Sequence, residues 1–262
     1  MRGRSWAVGA NQVHEFRDVS ARTERSAAYA EAMEDIAEVA ALLADRSRVA
    51  MLDVLLDGAA HPVGMLADAA GIAPSTASEH LARLASAGLV SGRTNGRRRL
   101  YVIADPDVAT TLEALGALAH SPQTYGLRNW NQMQRLRAAR TCYDHLAGRL
   151  GVFLADAAQQ QGALTADFVL TETAPGWFER LGVSIEDLPR TRRPFVRVCT
   201  DWTERREHLA GTLGAAVCTS FFSMGWIARV PGGRAVRVTP AGAAALTDLG
   251  AWEPTGAVGA AG

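Results

Sequence analysis

The stretch Ala73-Pro74-Ser75-Thr76-Ala77-Ser78-Glu79-His80-Leu81-Ala82-Arg83-Leu84 decides how the first half of this chain is read. Pro74 suits a first helical turn, where its missing donor would have no intrahelical partner anyway. Leu81 and Leu84 fall on the inward side of such a helix, which leaves Ser75, Thr76, Ser78, Glu79 and Arg83 facing out. Upstream, Ile36, Val39, Leu42 and Leu43 recur at helical spacing, and Val49, Leu52, Leu55 and Leu56 repeat the pattern. Asp45 offers a cap for that second helix, and Asp57-Gly58 ends it. The spacing predicts a third, short helix over 62–70, closed by Gly71.

Downstream, Gly88-Leu89-Val90 starts a strand, Asn95-Gly96 makes a hairpin turn, and Leu100-Tyr101-Val102-Ile103 returns. Asp105-Pro106 opens a further amphipathic helix with Val108, Leu112, Leu115 and Leu118 on one side, and Ser121-Pro122 breaks it. This order is that of a winged helix-turn-helix. In that fold the short helix at 62–70 crosses the phosphate backbone and props the helix at 74–87 into the major groove. Ser75, Thr76 and Ser78 then donate to or accept from several bases, Glu79 accepts from a cytosine amine, and Arg83 suits phosphate or guanine. Arg93, Arg97, Arg98 and Arg99 crowd the hairpin tip, and a basic wing of this kind lies along phosphates or dips into the minor groove. His80 reads as packing or a phosphate contact, and His61 as a surface residue before a proline.

The 262 residues, 48% of them hydrophobic, suffice for one large domain or two ordinary ones. Net charge is zero, so the molecule as a whole is not a basic body. All 27 positive side chains are arginine, so any phosphate contact is made by a planar guanidinium fork. No apolar run spans a bilayer, residues 1–26 lack the apolar core of a signal peptide, and three cysteines are too few for a disulfide framework. A cytoplasmic protein is expected, with a loose arm at 1–30, a winged helix-turn-helix DNA-binding and dimerisation domain at 31–120, a second domain at 125–250 and a frayed tail at 251–262.

The second half carries an internal repeat. His145-Leu146-Ala147-Gly148 followed by Leu150-Gly151 recurs as His208-Leu209-Ala210-Gly211 followed by Leu213-Gly214. Each unit, about 140–182 and 199–250, reads as a long helix, a short hairpin and a final helix, giving an α+β domain within a mainly α chain with small β-hairpins. The seam between two such units is a natural pocket, and Trp130, Trp177, Trp202 and Trp226 are candidates for its aromatic walls. Cys142, Asp144 and His145 sit together, as do Cys199, Asp201 and His208. Cys142 and His145, three apart, fall on one face of a helix, and thiolate with imidazole suits zinc or a related soft metal. The spacing from Cys to His differs between units, three against nine, so the repeat does not duplicate a ligand motif. We read these first as buried thiols beside polar helix starts, with metal binding and thiol redox as alternatives. The hairpin at 225–238, with Arg229, Arg234 and Arg237, reads as a second wing reused for packing.

Residues 31–119 resemble the arsenical-repressor (ArsR) family. The matching segments are Leu43-Ala44-Asp45-Arg46-Ser47-Arg48, Pro74-Ser75-Thr76-Ala77-Ser78-Glu79-His80-Leu81, and Ala87-Gly88-Leu89-Val90 with the arginine wing. The resemblance implies a homodimeric repressor joined through the first helix and the helix at 106–119, bound to an inverted repeat in double-stranded DNA. The family's usual metal sites are missing: His61-Pro62-Val63-Gly64-Met65 has no thiol, and 106–120 offers Asp107, Glu113 and His120 without the required His pairs. Sensing is therefore expected in the second half. A small-molecule effector would lie against Trp130, Cys142, His145, Trp177, Cys199, Trp202 and His208, with no cofactor and no membrane. Two other readings are an enzyme with Cys142 as nucleophile and His145 as base, which lacks an oxyanion site, and an architectural DNA-binding module without an effector.

Overall fold

The computed structural model describes residues 35–118 except Arg97, residues 127–250 except Gly232, and Trp252. The expected arm at 1–30, the break at Ser121-Pro122, and the tail (Trp252 apart) lie outside these residues. Residues from Asp45 onward form one compact unit, and the helix α1 (35–43) belongs to the segment before it.

Helix α2 (Arg46–Leu55) is capped by Asp45, whose carboxylate accepts the Ser47 and Arg48 N–H groups at 2.9 and 3.0 Å. It buries Met51, Leu52 and Leu55. His61–Pro62, expected at the start of the next helix, instead forms strand β1, and helix α3 (Val63–Ala70) begins one residue later than expected. β1 pairs with β3 (Arg98–Ile103), which also pairs with β2 (Val90–Asn95), so the sheet order is β1-β3-β2. An edge strand tolerates Pro62 because a ladder on one side only leaves no donor missing. His61 is correspondingly held: its Nε2 lies 2.9 Å from both Asp57 carboxylate oxygens. Gly71 closes α3 in the left-handed conformation, at φ 65°. Helix α4 (Pro74–Ser86) buries Ala77, Leu81 and Leu84.

Helix α5 (Pro106–Leu118) departs from the expected amphipathic reading. Its buried face is Ala109 and Glu113, whereas Leu115 and Leu118 are 44% and 71% exposed. The second half meets this face with Arg140 and Arg234 at Glu113 and with Trp202 beside Gly116.

That half runs α6 (Leu127–Ala138), β4 (Arg140–Cys142), β5 (His145–Ala147), α7 (Gly148–Gln160) and α8 (Ala174–Glu179). It continues β6 (Arg197–Thr200), β7 (Glu207–Ala210), α9 (Gly211–Ser223), β8 (Ile227–Arg229), β9 (Val236–Val238) and α10 (Pro240–Thr247). The long helix expected to open each unit, about 140 and about 199, begins only at Gly148 and Gly211, because Cys142 with His145 and Cys199 with His208 belong to a hairpin that precedes it. Leu150, Leu154, Phe178, Leu213, Val217 and Phe221 share one core beneath the two hairpins. The packing is reciprocal: Gly151 on α7 lies against the Leu146 carbonyl and the His208 Cβ, and Gly214 on α9 lies against the Leu209 carbonyl and the His145 Cβ.

A buried ion network joins the two halves. Arg140, with no exposed side-chain surface, reaches Glu113 and Asp201 at 3.1 Å each. Arg234 pairs with the other Glu113 oxygen and reaches Asp53 on α2 at 3.1 Å. Tyr143, between β4 and β5, donates its N–H to the Leu56 carbonyl at 2.7 Å. Charges out of water are tolerated only when paired, and here two guanidinium groups face the two buried carboxylates of Glu113 and Asp201. Burial works against the Glu113 carboxylate, but Arg234 and Arg140 outweigh it and hold the carboxyl below its usual range.

Glu113→Gln leaves both guanidinium groups short of a counter-charge, so a loss of about 3–5 kcal/mol is expected in urea unfolding at neutral pH. A carboxyl depressed in the fold stabilises it above the unfolded value, near pH 4–5, and loses that contribution as pH falls toward the folded value. Below about pH 5 the natural chain should therefore lose stability more steeply than Glu113→Gln, by about one proton in the slope. Equal slopes would show that Glu113 holds its proton no less tightly in the fold than in the unfolded chain.

Candidate functional site

The polar face of α4 is open. Ser75, Thr76, Ser78, Glu79 and Arg83 are all exposed, while Ser78 Oγ also donates to the Pro74 carbonyl at 2.8 Å. Arg93, Arg98 and Arg99 are exposed on the β2–β3 hairpin, and Arg97 lies outside the described residues. Their register places Arg93 opposite Leu100 and Arg99 opposite Thr94, with the Arg99 guanidinium 5.2 Å from the Tyr101 ring centre. His80 faces inward, its Nδ1 3.1 Å from an Arg48 guanidinium nitrogen. Arg234, one of the arginines of the second hairpin, is spent on Glu113 and Asp53.

The second concentration of functional groups is Cys142, His145, Cys199 and His208. All four are buried, and their ligating atoms lie within 4.8 Å of one another. They do not sit on a helix face. Cys142 stands directly opposite His145 across β4–β5, and Cys199 opposite His208 across β6–β7. Spacings of three and nine thus produce the same cross-strand pair, because the residues between add only to the loop. Each loop contains one non-glycine residue in the left-handed region, Tyr143 at φ 61° and Arg205 at φ 53°. Arg140-Thr141-Cys142 and Arg197-Val198-Cys199 extend the repeated His-Leu-Ala-Gly units upstream, a signal in the sequence that marks both strands.

The two imidazoles stack at 5.1 Å between ring centres, and the two sulfurs are 3.9 Å apart. His145 Nδ1 is 3.3 Å from an Asp144 oxygen, and Asp144 is clamped by both guanidinium nitrogens of Arg193. His208 Nδ1 is 3.9 Å from Asp201. Asp201 also accepts the Gly148 N–H at 2.6 Å, the Thr203 hydroxyl at 2.7 Å and the Thr203 and Glu204 N–H groups at 2.9 Å each. Burial and the Cys199 contact push the Cys142 thiol well up. Burial and the neighbouring His145 keep His208 well below its usual range. A cleft of about 270 Å³, lined by Asp105, Asp107, Tyr143, Asp144, His145 and Arg193 among others, opens beside the cluster.

Residues 43–93 match a family described as a helix-turn-helix domain. Over 211 residues, 79% of this chain and 93% of the relative, the sequence is 41% identical to the HTH-type transcriptional regulator YdfF of Bacillus subtilis. This chain belongs to the HTH-type transcriptional regulators. Its DNA-binding half is ArsR-like. Over 80 residues, 30% of this chain and 67% of the relative, the regulator is 39% identical to the HTH-type transcriptional regulator CmtR of Mycobacterium tuberculosis. It is also similar to the homodimeric winged helix-turn-helix DNA-binding domain of a Mycobacterium bovis protein. That solution structure is 33% identical, covers 37% of this chain and 90% of its own, and has a TM-score of 0.34.

The tryptophans of the regulator do not gather as the cysteines and histidines do. Trp177 packs edge-on against Phe178 in the core and donates Nε1–H to Gln161 at 3.1 Å. Trp202 lies under the Arg140 guanidinium, 5.1 Å from it, beside Gly116 of α5. Trp226 packs on Phe221, and the Trp130 side chain lies outside those described.

The reciprocal glycines set how closely helices and hairpins approach. A methyl group at Gly214 would sit 2.6 Å from the Leu209 carbonyl oxygen, a contact that only backbone movement relieves. Gly214→Ala should lower the melting temperature by several degrees, corresponding to about 1–3 kcal/mol of overpacking. Gly176→Ala on α8, where the added carbon meets nothing within 4 Å, should hold or raise it. Equal effects from both substitutions would show that the hairpin has room to yield.

Proposed function

We propose that the regulator is a homodimeric repressor that reads an inverted repeat in double-stranded DNA, and that its second half sets the affinity in response to a bound effector. The carrying observation is the open Ser75, Thr76, Ser78, Glu79 and Arg83 face of α4, flanked by the arginine hairpin. The α4 side chains read base edges, and Arg93, Arg97, Arg98 and Arg99 hold phosphates. The outer face of α5, with Leu115 and Leu118 exposed, suits the second copy that the family resemblance implies. A C-terminal half built from two copies of one unit, about 140–182 and 199–250, fits the reciprocal packing of its hairpins and helices.

Control from the second half has a physical route, because Arg140 and Arg234 hold α5 by buried ion pairs to Glu113, and Arg234 also reaches the half-exposed Asp53 of α2. A coupling of about 1–3 kcal/mol is enough to change operator occupancy. Of the expected effector contacts, Cys142, His145, Cys199 and His208 converge, which supports a reading of the effector site there rather than at the aromatic walls. An enzymatic role for Cys142 finds no support in a thiol whose burial opposes its ionisation.

Fluorescence anisotropy with DNA from upstream of the regulator's own gene tests the reading. Arg98→Ala with Arg99→Ala should weaken binding to all sequences alike and reduce the salt dependence by about two phosphate contacts. Glu79→Ala should instead change preference at one base pair by about 1–3 kcal/mol. Binding that is no tighter to this DNA than to unrelated DNA would refute it.

A further inference from the structure

The Cys142, His145, Cys199 and His208 cluster has three features that buried thiols alone do not explain. The first is orphaned nitrogen. His145 Nε2 and both ring nitrogens of His208 are buried without a hydrogen-bond partner. Each such atom gives up its hydrogen bond to water without replacement, and two stacked imidazoles facing two thiols are a poor way to fill a core. The second is geometry. Zinc–sulfur bonds of about 2.3 Å in a tetrahedron place the sulfurs about 3.8 Å apart, and the Cys142 and Cys199 sulfurs stand at 3.9 Å. The widest separation among the four atoms, 4.8 Å, needs a contraction of about 1 Å to reach a tetrahedral edge. The third is the surrounding shell. His145 Nδ1 is 3.3 Å from an Asp144 oxygen, the arrangement that orients an imidazole whose Nε2 binds metal, and Asp201 stands 3.9 Å from His208 Nδ1, beyond hydrogen-bond reach.

We propose that these four side chains form a site for one thiophilic divalent cation of the zinc type, and that its occupancy sets the DNA affinity. The second part rests on the reading of the chain as a DNA-binding regulator; the first does not. Two thiols and two imidazoles with no open position make a closed tetrahedral set. Binding forms two metal–sulfur and two metal–nitrogen bonds and releases the two thiol protons to solvent, with no change of oxidation state. The cleft lined by Asp144 and His145 brings solvent and ion to the edge of the cluster. The site differs from the two usual ArsR positions, before the recognition helix and on α5, since its ligands come from the two hairpins of the second half.

The link to DNA is short. Arg140 lies two residues before Cys142 on β4, Asp201 two residues after Cys199, and the two are ion-paired at 3.1 Å. Drawing the hairpins together on a metal moves this pair, and Arg140 is bonded to Glu113 of α5.

The test uses the full chain, stripped with a chelator and kept in a non-thiol reductant, titrated with cobalt(II) in the absence of DNA. One equivalent should give the visible bands of tetrahedral cobalt and a near-ultraviolet thiolate charge-transfer band, both erased by one equivalent of zinc. Cys199→Ser should weaken or abolish the thiolate band, while Cys218→Ser, at a buried thiol on α9 outside the cluster, should keep it. An octahedral spectrum, a spectrum without thiolate character, or no uptake by the natural chain overturns the site, and none of these depends on a variant folding. In a second titration, with DNA, zinc should change the affinity by about 5–150-fold. An unchanged affinity overturns the regulatory role. DNA binding without a cobalt spectrum removes the metal site and leaves the regulator, whereas a spectrum without DNA binding does the reverse.

Discussion

A carboxylate with no access to water, Glu113, held between Arg140 and Arg234, is the constraint on which the arrangement of the unit from Asp45 onward depends. In a low-dielectric interior an ion cannot trade its partner for solvent, so the three side chains move together or not at all. Glu113 belongs to the helix that follows the wing, Arg140 to the first strand of the second half, and Arg234 to the turn between β8 and β9. One pair of carboxylate oxygens therefore fixes the winged helix-turn-helix against both hairpin-bearing segments behind it. Asp53 and Asp201 extend the chain of charges at its two ends, toward α2 and toward the histidine cluster.

The parts of this fold that are legible in the sequence are those whose cause is local. The Asp45 cap, the Pro74 helix start, and the inward Leu81 and Leu84 each follow from neighbours within a few residues, and so does the β2–β3 hairpin. Asn95, however, ends the first strand of that hairpin, and the turn begins at Gly96, one residue later than the expected Asn95-Gly96 pair. The role of α5 is not legible in that way. Its leucines at helical spacing look like the buried stripe, and the buried residue is a glutamate whose partners lie 27 and 121 positions away. No periodicity reports a charge pair formed across such distances. His61 is a smaller case, a residue next to a proline drawn into an edge strand by Tyr101 opposite it.

The cysteine and histidine residues show a different failure of local reasoning. Counting three against nine treats the chain as a helix, where spacing fixes the face. Across an antiparallel pair the register fixes the face, and the loop beyond is free to be two residues or six. The repeated His-Leu-Ala-Gly segments stand out in the sequence, but that difference in loop length hides their partner strands. The Arg140-Thr141-Cys142 and Arg197-Val198-Cys199 segments carry the missing half of the pattern.

Both cysteine–histidine pairs come from a single polypeptide. Sites assembled between protomers fill and empty with the amount of protein present, because their ligands meet only on association. A set supplied by one chain responds to the chemical activity of what it binds and is indifferent to copy number. Under the proposed cation site, the regulator separates two quantities that a site built at a dimer interface confounds: how much of the protein is present, and what it has bound.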